Sequence, residues 1–330
     1  MSVARTVLGD VPAADLGPTY AHEHLVIDGG RPVEMHPDFL LADVDRLAAE
    51  LEEARALGLA TVVDAMPADA GRNAGLLAEL SRRSGVNVIA VTGLHHARYY
   101  GPSHWSERLS VDELAALFVA DLEEGVDAND YSGPVVRRTP FRAGAIKVAG
   151  SEGGLSARDR RLFEAAAAAH LRTGAPILTH CEDGTGGVEQ LAALAGFGVA
   201  PAAVILSHVD KVVDLGYHAE LAGAGATLEY DQSFRWGDRE NGTVTLLVAM
   251  IARGLGDRIV LGNDAARQRY YRAWGGGPGL VWLLGEFSAR MVDAGIGEEA
   301  RHDLFVTNPA RAFAFASADA AVTAGTGSER

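Results

Sequence analysis

Residues of metal-ligating type lie at the ends of short apolar runs that are spread along the whole sequence. They are His22 and His24 in AHEHL, Lys147 in GAIKVAG, His180 in ILTHCED, His208 in ILSHVDK and Asp264 in IVLGNDAAR. A single histidine of this kind is more often a hydrogen-bonded core residue, but two at successive strand ends, His180 and His208, favour a site. Imidazole nitrogens and carboxylate oxygens suit zinc or a similar divalent ion. The pattern therefore predicts a metal site, provided that the fold brings these positions together.

The other candidate ligands each have a reason to act at a metal. Lys147 and Asp264 also have an ordinary structural alternative. His22 and His24 are two residues apart, so in a strand both imidazoles point to the same side. Burial beside cations would lower the pKa of Lys147, and the neutral amine can add carbon dioxide to give a carbamate with two oxygen ligands. The alternative is a lysine that reaches from the strand end to water. Asp264 could bind the ion and accept a proton from bound water, or it could cap its strand.

The elements that must position these residues alternate along the chain. Eight short apolar runs are typical of strands buried on both faces of a parallel sheet, and they cover residues 20–22, 60–65, 87–93, 143–149, 175–180, 203–208, 226–231 and 258–263. Helical spacing of apolar residues predicts helices at 42–58, 70–84, 110–125, 156–174, 186–197, 211–225 and 242–255. The alternation predicts an α/β fold, a (β/α)₈ TIM barrel, in which the C-terminal ends of all strands meet at one mouth.

The main alternative fold is an open doubly wound sheet, whose ligands gather in one crevice near a switch in strand order. The candidate ligands come from the first, fourth, fifth, sixth and eighth predicted strands. A closed ring brings the first and eighth strands together, which an open sheet generally does not. The order of the ligands therefore favours the barrel.

The sequence predicts a single barrel domain over residues 1–330, with an addition at each end. Residues 3–20 are predicted to form a short β-hairpin, with VARTVL and LGPTYA around the turn region GDVPAAD, and residues 1–18 are the N-terminal addition that this hairpin makes to the barrel. The tail at 318–330 is small and polar, which is typical of a flexible end.

Composition and charge restrict the kind of partner. The 330 residues carry a net charge of −15, which argues against nucleic-acid binding and against attraction to anionic membranes. Cys181 is the single cysteine, so no intramolecular disulfide can form, and we find neither a signal-peptide pattern nor a stretch of about 20 apolar residues. These features predict a cytoplasmic protein without nucleic-acid or membrane partners, and the predicted metal site adds a small-molecule substrate as the expected partner.

The ordered set of ligands resembles the phosphotriesterase-related branch of the amidohydrolase superfamily. The similarity runs from GDVPAADLGPTYAHEHL to TNPARAFAF, and NDAARQRYY, GGGPG and NPARAFAF resemble this branch in particular. The resemblance implies a homodimer with two divalent ions, Zn²⁺ by preference, in each chain. One ion would be held by His22, His24 and Asp264, and the more exposed ion by His180 and His208. A carboxylated Lys147 and a hydroxide would bridge the two, and Asp264 would carry the proton to the leaving group.

The loops of this chain bear on the substrate that the resemblance implies. The third loop, TGLHHARYYGPSHW, is rich in His, Arg and Tyr, so the pocket is more polar than an apolar phosphotriester needs. Members related to the phosphotriesterases hydrolyse lactones, and in the phosphosugar lactonases an Arg and a Tyr of the eighth loop bind phosphate. Arg267 and Tyr270 match that pattern, and Arg98 and Tyr99 of the third loop are further candidates. Arg267 and Tyr270 could instead form a salt-bridged, stacked loop that holds GGGPG in place.

The expected activity is therefore metal-dependent hydrolysis, by the bridging hydroxide, of a lactone or carboxylic ester, with sugar and phosphosugar lactones included. Phosphoester, phosphotriester and amide hydrolysis are the alternatives within enzymes. A barrel that binds a small ligand without turnover is the alternative of another class. A proton-shuttling Asp264 argues against that class, because a binder has no need of it.

Overall fold

The computed structural model describes residues 2–237 and 240–316, and the tail predicted at 318–330 lies outside the described residues. Two strands form an antiparallel sheet, β1 (Val3–Thr6) and β2 (Gly9–Pro12). Eight more strands form a second, parallel sheet: β3 (Thr19–Glu23), β4 (Thr61–Asp64), β5 (Asn87–Gly93), β6 (Ala145–Gly150), β7 (Ile177–Cys181), β8 (Val204–Ser207), β9 (Thr227–Tyr230) and β10 (Ile259–Leu261).

Helices connect these strands. They are α1 (Gly30–Met35), α2 (Val44–Ala56), α3 (Ala74–Ser84), α4 (Val111–Glu123), α5 (Ala157–Thr173), α6 (Gly187–Gly196), α7 (Leu215–Gly223), α8 (Gly242–Ala252), α9 (Ser288–Asp293), α10 (Glu298–His302) and α11 (Asn308–Ala312). Within residues 2–237 and 240–316, no helix is both long and apolar enough to cross a bilayer.

Local sequence explains where two of the long helices begin. Ser110 precedes α4 and Ser156 precedes α5, and each side chain accepts a hydrogen bond from the backbone N–H three residues later. Glu113 and Asp159 return a carboxylate to the serine backbone N–H, which completes a capping box and satisfies two otherwise free donors. Gly174 ends α5 in the left-handed region with φ 75°.

The eight parallel strands follow one another in chain order and form a nearly closed barrel, which confirms the predicted TIM barrel with an N-terminal hairpin. The backbone N–H groups of Asn263 and Asp264, just beyond β10, donate to the carbonyl oxygen of His22 in β3 at 3.2 and 2.9 Å. These bonds join the last strand region to the first. The eighth and first strand ends therefore meet, as the ligand pattern requires.

The hairpin differs in detail from its prediction. Its second arm is GDVP at Gly9–Pro12, and LGPTYA is not part of it. Thr19 and Tyr20 of that segment instead pair with Thr61 and Val62 in the barrel, where every residue of β3 is buried. The prediction was wrong because a strand flanked on both faces buries more apolar surface than a hairpin arm, and pairing follows burial.

Two layers of apolar side chains alternate along the barrel strands. Ala145 and Leu178 belong to a cluster distinct from the main core between sheet and helices, to which Ile146 belongs. Since strand side chains alternate, this second cluster fills the barrel interior. Lys147 and His180 each lie two residues beyond a member of that cluster. Their side chains therefore point into the barrel interior near the carboxyl ends of the strands.

Gly93 illustrates how tightly the site strand is packed. It pairs with Lys147 across β5 and β6, has φ 95°, and an added Cβ would lie 1.9 Å from the Lys147 carbonyl oxygen. We expect Gly93→Ala to lower the free energy of unfolding by about 2–5 kcal/mol, because backbone strain and a backbone clash add. Gly295→Ala is the control, since Gly295 has φ 82° and a methyl group added there would meet no atom within 4 Å. Equal shifts in urea unfolding would contradict the clash.

Candidate metal centre and active site

The carboxyl ends of five barrel strands bring the predicted ligands to one mouth. His22 lies in β3 and His24 directly after it, Lys147 lies in β6, His180 in β7, His208 directly after β8, and Asp264 in the loop after β10. Every one of these except Lys147 lines the same cavity, which holds about 210 Å³. Lys147 is only 1% exposed and lies beside His22. Residues up to 242 positions apart in sequence thus share one site.

The shortest distances within the set are between imidazole, ammonium and carboxylate groups. Asp264 Oδ1 lies 3.2 Å from His24 Nε2 and 3.7 Å from His22 Nε2. Lys147 Nζ lies 3.4 Å from His22 Nε2. The imidazole rings of His22 and His208 are 4.8 Å apart between centroids. His22 is therefore the central member, in reach of the lysine, the aspartate and a second histidine.

His180 has a second set of neighbours. Its ring centroid lies 4.5 Å from that of His208, but its Nε2 lies 2.6 Å from Glu182 Oε2, and His96 Nε2 lies 2.9 Å from the same oxygen. Arg98 donates to both oxygens of Glu182 at 3.0 and 3.2 Å. Arg98, a predicted substrate-binding residue, thus lies outside the cavity lining and anchors a carboxylate beside His180.

Two buried carboxylates that sequence reasoning missed fix the orientation of two histidines. Glu229 Oε2 lies 3.2 Å from His22 Nδ1, and Asp231 Oδ2 forms a short hydrogen bond with His208 Nδ1. Such pairing leaves the Nε2 atoms free to bind a metal and sets the ring orientation. Despite burial, His208 holds the pKa of Asp231 below its usual range. The signal was present in ATLEYD, where two acidic residues stand two apart in a buried strand.

Two of the predicted ligands have unusual backbone conformations. His208 has φ 68° and Asp264 has φ 49°, the left-handed region that residues other than glycine seldom adopt. Each such conformation costs about 1–3 kcal/mol and persists only where the surrounding structure imposes it, and such strain clusters at functional sites. Asp264 is held in this conformation by two contacts with the first strand region, one from its own N–H to His22 and one from its carboxylate to His24.

The remaining predicted substrate-binding residues line the cavity. They are Tyr99 of the third loop, and Arg267 and Tyr270 of the eighth. Apolar side chains, among them Phe39 and Met66, line other parts of the wall. The cavity therefore joins a group of metal-ligating side chains to a rim that carries a guanidinium and two phenols.

Arg235 is a further cavity residue that sequence reasoning missed. Its guanidinium donates to the carbonyl oxygens of Asn263 and Asp264 at 2.7 and 2.6 Å and lies 3.3 Å from Asp264 Oδ2. It also lies 5.3 Å from the centre of the Tyr270 ring. Although burial would raise the pKa of Tyr270, its arginine neighbours lower it below the usual value. Nothing in the spacing of QSFRWG marks this contact, because it depends on how the seventh and eighth loops fold together.

The protonation states of these donors fit a divalent metal, because metal ligands must be unprotonated. Burial lowers the pKa of His22, His180 and His208, so their rings are neutral at pH 7. Burial lowers the pKa of Lys147 to about 8, against the opposing effect of nearby carboxylates. Burial alone would raise the pKa of Asp264, but the imidazole and guanidinium groups around it hold that pKa well below its usual value.

Among the described residues, three groups of side chains have ligand atoms within 4.8 Å of one another: His22, His24 and Asp264; His22, His208, Glu229 and Asp231; and His95, His96 and His180. The first two groups share His22. The donor set and its charge states therefore fit metal binding at the barrel mouth.

Comparison with known proteins identifies the family. A sequence profile of the Phosphotriesterase family matches residues 2–313. The chain belongs to the phosphotriesterase family. It is similar to a protein of Mycoplasmopsis synoviae named phospho-furanose lactonase, with 35% identity over 327 residues, covering 94% of this chain and 92% of the relative.

Solved structures extend the likeness to the whole fold. An amidohydrolase from Mycoplasma synoviae superposes with a TM-score of 0.92 and 34% identity, covering 96% of this chain and 93% of the other. A lactonase from Listeria monocytogenes superposes with a TM-score of 0.89 and 28% identity, covering 96% and 100%. The protein is thus a hydrolase of the phosphotriesterase family, and the predicted resemblance is confirmed.

Proposed function

We propose that this protein is a metal-dependent lactonase whose substrate carries an anionic group, with phosphosugar lactones as the preferred class. The observation that carries the proposal is one cavity in which the histidines and Asp264 adjoin Arg267 and Tyr270. The name of the Mycoplasmopsis relative supports it. A neutral triester has no negative charge that could pair with the guanidinium of Arg267, so the rim favours an anionic lactone over a neutral phosphotriester.

The donor set is suited to two divalent ions, Zn²⁺ by preference. His22, His24 and Asp264 would hold one ion, His180 and His208 the other, and a carboxylated Lys147 would be shared between them. A pKa near 8 makes a carbamate accessible, since about a tenth of the amine is neutral at pH 7. When bound, the ions would polarise the lactone carbonyl and lower the pKa of a water.

The protein's own residues would then handle the proton and the leaving group. Asp264 accepts the proton of the attacking water and delivers it to the ring oxygen, which leaves as the C–O bond breaks. Arg235 and His24 hold the two carboxylate oxygens of Asp264, so that one orientation is kept. Phe39 and Met66 line the same cavity with apolar surface, which would limit the access of bulk water to this transfer.

Arg267→Met should weaken binding of an anionic lactone. We expect KM to rise by about 10- to 150-fold, equivalent to about 1.5–3 kcal/mol for a lost charged hydrogen bond. A small neutral lactone should be barely affected. Arg272→Met is the control, because Arg272 lies on the same loop but pairs with Glu53 in solvent. Equal losses on both lactones would mean that Arg267 only supports the loop.

A direct test of the proposed function combines metal content with turnover. Metal per chain is measured by emission spectroscopy, and turnover by a pH indicator with phosphorylated, neutral and aromatic lactones. A phosphotriester and an amide are included for comparison. Preferred turnover of a phosphorylated lactone by metal-loaded protein is the expected result. A metal-loaded protein that hydrolyses none of these would be a binding barrel, and preference for the triester or amide would overturn the lactonase assignment.

A further inference from the structure

The guanidinium of Arg267 has a carboxylate partner inside the protein. Arg267 Nη1 donates to Asp38 Oδ1 at 2.7 Å, and Arg269 Nη1 lies 3.7 Å from the other Asp38 oxygen. Both partners of the first contact are partly open to solvent, with side chains 23% and 37% exposed. Asp38 therefore makes the contacts with Arg267 and Arg269 that the anionic end of a substrate would also make.

Asp38 belongs to a loop that covers one side of the cavity. This rim loop, residues 28–40, is closed at its base by two backbone hydrogen bonds between Ile27 and Leu41, at 2.9 and 3.0 Å. Pro32 and Phe39 of the loop line the cavity. The loop therefore presents an apolar face inward and carries the Asp38 carboxylate toward the eighth loop.

Contacts between the rim loop and the eighth loop are concentrated around Asp38. The Arg267 guanidinium lies 4.2 Å from the centre of the Phe39 ring, and Gln268 Nε2 donates to the Leu40 carbonyl oxygen at 2.8 Å. The stacking of Arg267 on Phe39, and the bond from the Gln268 side chain beside it, do not involve the Asp38 carboxylate. Removing the charge of Asp38 should therefore free the guanidinium without displacing it.

We infer that Asp38 is a specificity-determining residue: an internal anion that neutralises Arg267 and competes with the anionic end of the substrate. The inference rests on the proposed function for the identity of that substrate. A dianionic phosphate near Asp38 is repelled by the carboxylate while it is attracted by Arg267, so Asp38 sets how much negative charge the site tolerates. A neutral ligand meets no such competition.

The inference predicts that Asp38→Asn strengthens anion binding. We expect KM for an anionic lactone to fall about twofold to fivefold, as for removal of one partly exposed charge contact, with KM for a neutral lactone and kcat for both unchanged. Glu34→Gln is the control, because it removes one negative charge from the exposed side of the same loop. A rise in KM for the anionic lactone would show that Asp38 positions Arg267 instead, and no change would show that the anion binds elsewhere.

A binding measurement separates this inference from the proposed function. Dissociation constants of inorganic phosphate are measured by calorimetry on the metal-loaded wild type, Asp38→Asn, Arg267→Met and the double variant. Tighter binding to Asp38→Asn that disappears in the Arg267→Met background supports the inference even if no lactone is hydrolysed. An equal gain in both backgrounds would overturn it, since phosphate would then respond to general charge or bind at the metals.

Discussion

Lys147→Ala should remove bound metal and activity together. Lys147 Nζ lies 3.4 Å from His22 Nε2, and Lys147 itself is only 1% exposed. If a carbamate on Lys147 is shared by two ions, its loss deprives both of an oxygen ligand. We expect metal content to fall from about two ions to one or fewer per chain, with turnover close to background. Short carboxylic acids such as acetate should partly restore both.

The lysine content of the sequence makes the carbamate itself measurable. Lys147 and Lys211 are its only lysines, and Lys211 is exposed. Protein loaded with metal in ¹³C-bicarbonate should give a carbamate carbon signal that Lys147→Ala abolishes and Lys211→Ala retains. A fully metal-loaded, active enzyme with unmodified Lys147 would exclude the carbamate. Metal and activity retained in Lys147→Ala would exclude any ligand role.

The fold could be predicted from the sequence because one pattern, a short apolar run followed by a helical pattern, recurs along the chain. Each predicted strand overlaps a strand of the structure, since a short run that is apolar on both faces fits best in a sheet that is covered on both faces. Convergence of the ligands followed from topology alone, because parallel strands in ring order end at one mouth. The arm assigned to LGPTYA failed because a short apolar segment fits a hairpin and a barrel strand equally well until burial decides.

The parts of the site that sequence reasoning missed depend on contacts between loops. Glu229 and Asp231 are two residues apart, which predicts that their side chains point to the same side of the strand. Their role became evident only once His22 and His208 were found beside them. The pairing of Asp38 with Arg267 spans 229 positions and depends on the conformation of two loops. Strand periodicity carries no information on such contacts. The same holds for Arg235 beside Asp264.

Asp264→Asn should lower kcat by about 100-fold or more while most of the metal remains. The asparagine keeps the shape of the side chain and one oxygen for the ion, but it has no lone pair basic enough to take a proton, and loss of a general base costs about 10²–10⁴-fold. Arg235 and His24 lie on either side of the carboxylate. The amide of the asparagine can keep this place, with its oxygen toward Arg235 and its NH₂ group toward His24. Steady-state kinetics and metal content on the same sample measure the two effects separately.

Comparison with a matched variant distinguishes the proton role from a structural one. Asp257→Asn makes the same change in the turn that precedes β10, at the opposite end of the strand from the site, and should leave kcat unchanged. Near-normal turnover of Asp264→Asn would show that the residue is only structural. Recovery of turnover on adding excess metal would show that it acts as a ligand alone. A kcat that stays low at full metal occupancy and with KM unchanged leaves proton transfer as its function, because metal ligation and substrate binding are then both intact.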